Sequence, residues 1–251
     1  MKIVNNTVDR KQKVALVTGG SRGSGRAIVE LLLENNIFVI INYAFNEENA
    51  VQLHNELSTK YGNSFALIKA DLSLMSDAEI LIDFIRKSVK EIDYLIFCAG
   101  ATLKKDFGDI EYTEWIKVFD LNLNIPFMIL QKLDKDLARN GRIIFISSIM
   151  SKYPHSTSIA YGVSKAAVNT LTRYIVKVYA NRRITVNSIL VGFANTTMIS
   201  RSSAHEERIK AKIALGRFVD PKEVAEFVWS IIKNEYVNGA NLEISGGYDF
   251  F

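Results

Sequence analysis

Tyr161 and Lys165 stand four residues apart within Ile159–Asn181, a stretch whose apolar spacing reads as one long helix. At that spacing both side chains project from one helix face. Ser148 lies thirteen residues before the tyrosine, just past a β-branched run. These residue types suit carbonyl chemistry. When hydride arrives at a carbonyl carbon, the oxygen gains negative charge and needs a proton donor beside it. A free phenol, with a pKa of about 10, gives up its proton sluggishly near neutral pH. A neighbouring ammonium favours the phenolate and eases that transfer. A serine hydroxyl can hydrogen-bond the substrate oxygen and stabilise its developing charge. Tyr-x-x-x-Lys by itself is common, so its weight rests on what surrounds it.

The strongest neighbour is near the start of the chain. VALVTGGSRGSGRAIVELL reads as a strand, a glycine-rich turn and the opening of an apolar helix. Gly19, Gly20, Gly23 and Gly25 let the backbone approach a pyrophosphate, and the helix N-terminus adds partial positive charge. Ser21 and Ser24 sit in the same turn. Arg22, also inside it, can pair with a 2′-phosphate. The second strand ends Ile41-Asn42-Tyr43-Ala44, with no acid before Glu47. An acid there would bind the ribose hydroxyls of NAD and repel a 2′-phosphate. Arg22 without that acid favours NADPH (or NADP) over NADH.

The turn has the spacing Thr-Gly-x-x-x-Gly-x-Gly, and from about Lys13 to Gly247 the chain resembles the classical short-chain dehydrogenase/reductase family. Within that family it looks most like 3-oxoacyl-(acyl carrier protein) reductases. The resemblance implies that Lys165 also grips the nicotinamide ribose. It implies that Asn122, in Asp-Leu-Asn-Leu-Asn, positions a water for proton resupply, with Asn124 as a nearby competitor. Asp71 and Leu72 match the adenine-contacting pair, although Asp71 could equally cap the next helix. Ala99 and Gly100 match the floor of the cofactor cleft, but Phe97-Cys98 replace the usual Asn-Asn. Val191-Gly192 replace the usual Pro-Gly, with Gly192 permitting close approach to the nicotinamide. Thr196 aligns with a cofactor contact. Cys98 reads as a small buried filler rather than a reactive thiol. Arg139 and Arg182, with Arg183 and Arg173 as helpers, fall where such reductases present cations to an acidic acyl carrier protein. Relatives pair long helices between subunits, which implies a homotetramer or homodimer, with the apolar end Phe250-Phe251 packed at a contact.

These residues need a scaffold. Short, nearly continuous apolar runs predict strands at Val14–Thr18, Phe38–Asn42, Phe65–Lys69, Tyr94–Cys98, Arg142–Ser147, Thr185–Leu190 and Asn241–Ile244. Helical patterns alternate with them at Gly25–Asn35, Glu47–Tyr61, Ser76–Lys90, Thr113–Ala138, Ile159–Asn181 and Pro221–Asn234. Strict alternation predicts an α/β, doubly wound Rossmann-type fold: a seven-stranded parallel sheet with helices on both faces. Residues 1–251 form one dinucleotide-binding and catalytic domain in this reading. Residues 1–12 are a polar tail, and residues 193–218, polar and charged from Thr197, form a substrate lid.

Composition narrows the classes. Hydrophobic residues make up 48% of the 251 and charged residues 23%, enough core for one large domain and too little charge for disorder. The net charge of +4 is scattered, which argues against a nucleic-acid stripe. One cysteine excludes an intramolecular disulfide, and His54, His155 and His205 show no ligand spacing, so no metal is expected. The polar start lacks a signal-peptide core, and no apolar run approaches the ~18 residues of a membrane span, so the expected location is cytoplasmic. The leading function is NADPH-dependent reduction of a ketone, and the resemblance implies a 3-oxoacyl thioester of fatty-acid or polyketide-like synthesis as that ketone. The rivals are a reductase or dehydrogenase of a free alcohol, sugar or steroid-like ketone and, more remotely, a non-catalytic dinucleotide-binding scaffold.

Overall fold

The computed structural model describes residues 2–3, 12–45, 47–195 and 203–249. The chain alternates strands and helices as β1 (Lys2–Ile3), β2 (Val14–Thr18), α1 (Gly23–Glu34), β3 (Phe38–Tyr43), α2 (Glu47–Tyr61), β4 (Phe65–Lys69), α3 (Met75–Ser88) and β5 (Ile92–Phe97). It continues through α4 (Tyr112–Phe119), α5 (Ile125–Lys132), β6 (Leu137–Ser148), α6 (Ile159–Tyr179), β7 (Thr185–Val191), α7 (Ser203–Lys210), α8 (Pro221–Lys233) and β8 (Asn241–Ile244). The sheet order is β1-β4-β3-β2-β5-β6-β7-β8. The seven strands from β2 to β8 run parallel to one another.

This is the expected doubly wound Rossmann-type sheet. Strands β2, β3 and β7 are buried at every position, because helices cover both faces. Alternate residues feed two cores. Leu16, Ile40, Leu95 and Phe145 pack on one face. Ala15, Val17, Val39 and Ile96 pack on the other. The chain reverses its winding direction between β2 and β5, which opens a crevice at the strands' carboxyl ends.

Three sequence expectations change. First, part of the expected polar tail is a strand: Lys2 and Ile3 pair antiparallel with Ile68 and Leu67 of β4. A two-residue edge strand is too short to show periodicity. Second, Thr113–Ala138 is not one helix. It divides into α4, a π turn at Asp120–Asn124, α5 and a short 3₁₀ turn at Asp134–Asp136. Pro126 lacks the N–H that an α-helix would send to the carbonyl of Asn122, so the helix cannot continue in register through this point. Third, Leu137 and Ala138 belong to β6. Leu137 pairs with Ile92, the register then shifts, and pairing resumes at Tyr94 and Arg142. Asn140, at φ 61°, and Gly141 make that excursion.

Smaller boundaries also move. Helix α1 begins at Gly23, two residues earlier than expected, and β7 runs one residue further, to Val191. Asp220 caps α8 as expected, its carboxylate accepting from the Lys222 N–H at 2.8 Å, with Pro221 in the first turn. Among the described residues no helix is long and apolar enough to cross a membrane.

Candidate active site

The glycine turn follows β2 directly. Gly19 has φ +64°, and a Cβ there would lie 2.9 Å from Ala99 Cα. A Cβ on Gly25 would lie 2.3 Å from the Gly19 carbonyl oxygen. These two glycines therefore allow α1 to start close against the turn. No side chain caps the N-terminus of α1, and its first turn holds no acid. Its free N–H donors face the same cleft as Ser21, Arg22, Gly23 and Ser24. A pyrophosphate fits this donor set: backbone N–H groups, two hydroxyls and one guanidinium. Arg22 is exposed, and its side chain makes no hydrogen bond or ion pair among the described residues.

The cleft has a volume of about 730 Å³. It runs from Asn42, Tyr43, Asp71 and Leu72, past Ala99 and Gly100, to Ser148, Tyr161, Lys165 and Gly192. All the predicted site residues in the described segments line it except Asn122, which stands behind the wall. Thr196 lies outside the described residues, as do Phe250 and Phe251.

Several lining residues have structural tasks. Asn42 is buried, its amide nitrogen donating to Ala70 O at 2.9 Å and its oxygen accepting from Gly19 N at 3.4 Å. Its amide braces the loop, and the residue still lines the cleft. The Asp71 carboxylate accepts from the Ser73 N–H at 2.9 Å and the Ser73 hydroxyl at 2.8 Å. It closes a turn before α3 and is not that helix's N-cap, which is Leu74. Gly192 donates its N–H to Ile244 O at 2.9 Å, and a Cβ on it would lie 2.9 Å from Ser245 Cα. Glycine is needed here because the turn after β8 crosses closely.

Thr18, at the end of β2, was not singled out from the sequence. Its buried hydroxyl accepts from Cys98 N at 3.0 Å and Ala99 N at 3.1 Å. This threonine braces the ends of β2 and β5 beside Cys98, which stands where the resemblance expects an asparagine. Cys98 is half-buried, and burial pushes its thiol up to about 11, against the pull of the Lys165 ammonium. It stays a neutral thiol at physiological pH, consistent with a filler.

Helix α6 delivers Tyr161 and Lys165. Lys165 is 5% exposed, and its Nζ donates to Ile146 O at 2.8 Å. That nitrogen sits 5.9 Å from the centre of the Tyr161 ring. Burial lowers the ammonium's pKa to about 8, partly countered by Cys98. Burial also raises the Tyr161 phenol above its ordinary value, while its hydrogen bond with Ser148 pulls the other way. The expected lowering by Lys165 is not found: burial sets the direction, and Ser148 alone opposes it. A protonated phenol is the form a proton donor requires.

Ser148 ends β6. Its Oγ accepts from Met150 N at 3.2 Å, so it caps the following turn as well as facing Tyr161. Asn122 lies in the π turn, 3% exposed. Its side chain pairs with Ala101 through both amide groups at 3.0 Å and donates to Ser164 Oγ at 3.0 Å. Ser164 in turn donates to Tyr161 O at 2.8 Å. Asn124 points elsewhere, to Asp120 at 2.8 Å on the exposed side. The π turn therefore brings Asn122 to the α6 face and leaves Asn124 outside.

The two arginines of the expected carrier surface differ. Arg182 is committed inside the chain, donating to Asp134 O at 2.7 Å, to Asp134 Oδ1 at 2.8 Å and to Leu137 O. It locks the end of α6 to the β6 excursion, so its guanidinium is already engaged within the chain. Arg139 is exposed.

A glycine turn opening a helix at the sheet's switch point, with Tyr161, Lys165 and Ser148 in one cleft, defines a dinucleotide-dependent oxidoreductase. The family described as short chain dehydrogenase matches residues 13–207, and the chain belongs to it. It is an NAD(P)-dependent oxidoreductase acting on the CH–OH/C=O pair. A 3-oxoacyl-(acyl carrier protein) reductase of Aquifex aeolicus is 33% identical over 245 residues, covering 94% of this chain and 96% of that protein. An acetoacetyl-CoA reductase of Allochromatium vinosum is 31% identical over 240 residues, covering 94% and 98%. A short chain dehydrogenase from Burkholderia cenocepacia, solved with NADP, superposes with a TM-score of 0.88 at 26% identity, covering 95% of this chain and 99% of that one.

Proposed function

We propose that the protein is an NADPH-dependent carbonyl reductase acting on a 3-oxoacyl thioester. The observation that carries this reading is the convergence of Tyr161, Lys165 and Ser148 on one cleft wall, reached from the glycine turn without a break. When bound, NADPH supplies the hydride. The chain's own residues do the rest. The α1 N-terminus, Ser21 and Ser24 hold the pyrophosphate, and Arg22 meets the 2′-phosphate. Asp71 and Leu72 border the adenine, and Ala99, Gly100 and Gly192 shape the floor beneath the nicotinamide. Ser148 and Tyr161 hydrogen-bond the ketone oxygen, and Tyr161 gives it a proton as negative charge develops. Lys165 stabilises the phenolate that remains and holds the nicotinamide ribose. Asn122 holds the Ala101 backbone and, through Ser164, the main-chain oxygen of Tyr161, and a water beside its amide would resupply the Lys165 proton.

The thioester assignment is supported by the two curated relatives, both reductases of 3-oxoacyl compounds by name. The test is an initial-rate assay with NADPH and NADH against acetoacetyl thioesters and a panel of free ketones. The reading expects NADPH oxidation with thioesters well above that with free ketones. Oxidation with free ketones alone would replace the thioester by a small ketone, and no turnover with any carbonyl would overturn the reductase assignment.

A further inference from the structure

The mouth of the cleft has a one-sided charge. Helix α7 presents His205, Arg208 and Ile209 to the cavity, and Lys212 follows one turn on. Those positions have the i, i+3, i+4, i+7 spacing of one helix face. The two carboxylates of the same helix, Glu206 and Glu207, do not line the cleft, and Glu207 is held by Lys210 at 2.8 Å. The helix thus turns Arg208 toward the cavity and keeps Glu206, Glu207 and the paired Lys210 away from it.

The loop at Lys104 repeats the pattern. Lys104 lines the cleft and is exposed, whereas its neighbour Lys105 is occupied by Glu114 at 2.8 Å. The Lys105 N–H donates to Thr157 O at 3.0 Å, which fixes this loop beside His155. The side chains of Lys104, Arg208 and Lys212 make no hydrogen bond or ion pair among the described residues. The only carboxylate among the described lining residues is Asp71, beyond the glycine turn at the β3–β4 end. Between the rim and Tyr161 the wall turns apolar, with Ile149, Met150, Phe193 and Tyr248.

From this arrangement we infer that the cleft mouth is a phosphate-binding rim, and that the substrate is long, with its ketone at Tyr161, an uncharged middle and a phosphate held by Lys104, Arg208 and Lys212. This rests on the thioester reading and sharpens it: the phosphate is that of a phosphopantetheine arm. Exposed cations suit a group that stays partly hydrated at the rim while the acyl end enters the apolar wall. Attraction of this kind is long-ranged and weakens with salt.

The experiment compares acetoacetyl-CoA with the phosphate-free N-acetylcysteamine ester of the same acid, in wild type and in Arg208→Gln/Lys212→Gln. Both side chains are exposed and unpaired, so the substitutions spare the fold. The ratio of kcat/KM for the two esters is expected to fall about tenfold in the double variant, with a similar fall for wild type in high salt. An unchanged ratio would overturn the rim. The same ratio taken with an acetoacetyl-loaded acyl carrier protein separates the two sources of the arm. A fall confined to the carrier assigns the phosphate to the carrier, and a fall confined to the CoA ester assigns it to the coenzyme. If wild type reduces no thioester, the thioester reading fails on its own. Calorimetric binding of CoA to the NADP-loaded protein then decides the rim: a Kd about tenfold weaker in the double variant supports it, and equal Kd values overturn it.

Discussion

Lys165 Nζ donates to the main-chain oxygen of Ile146 at 2.8 Å, two residues before Ser148 on the same strand. The end of β6 therefore sets the positions of two groups at once, the ammonium through a carbonyl and the hydroxyl through a side chain. Helix α6 brings Tyr161 to meet both. The reacting groups are held by one strand end and one helix face, elements fixed by buried contacts rather than by loops.

That ammonium costs stability. Its pKa falls from 10.5 unfolded to about 8 folded. Below about 8 both states hold the proton, and the full penalty of burying the charge acts. Between about 8 and 10.5 the folded state has released the proton, and the penalty fades. Lys165→Met is expected to abolish turnover yet stabilise the fold at pH 7 by about 1–2 kcal/mol, since an unpaired Ile146 oxygen offsets part of the gain. Urea melts across pH 7 to 10 check this, and the gain should vanish toward the alkaline end.

Thr18→Val removes one hydroxyl and leaves the N–H groups of Cys98 and Ala99 without their acceptor. The expected loss is about 1–3 kcal/mol, with weaker NADPH binding because the cleft floor loosens. Denaturant melts and a fluorescence titration measure the two effects.

Much of this was legible in the sequence. The seven parallel strands, the glycine turn, and the placing of Tyr161, Lys165 and Ser148 follow from apolar runs, glycine spacing and the four-residue helical step. The break at Asp120–Asn124 was not, because it depends on one missing N–H at Pro126 within an otherwise helical pattern. Nor was the commitment of Arg182, whose partners at Asp134 and Leu137 lie more than forty residues away. The bracing by Thr18 bridges eighty residues. Local spacing carries no information about such contacts. The cationic face of α7 had a signal that could have been found: His205, Arg208 and Lys212 recur at helical spacing.

The π turn separates two asparagines that look alike in Asp-Leu-Asn-Leu-Asn. Asn122→Ala should cut kcat about tenfold or more, as it strips Ala101 and Ser164 of their partner. Asn124→Ala should change stability by no more than about 0.5 kcal/mol and leave kcat near wild type. Similar losses in both would place the relay elsewhere.

Arg22 is the one cation of the glycine turn, and nothing among the described residues neutralises it. Arg22→Ala is expected to raise KM for NADPH about tenfold to a hundredfold and to leave KM for NADH nearly unchanged. Initial rates with both cofactors give the answer. An equal change for both would remove the 2′-phosphate from its role.

The central claim is that Tyr161 gives the proton, and Tyr161→Phe tests it most directly. The ring and its packing remain, and only the hydroxyl is lost. NADPH binding, followed by fluorescence, is expected to match wild type, while turnover of acetoacetyl-CoA falls by about 10²-fold or more. Turnover retained within a few-fold of wild type, with NADPH bound, would contradict the account and require another proton donor.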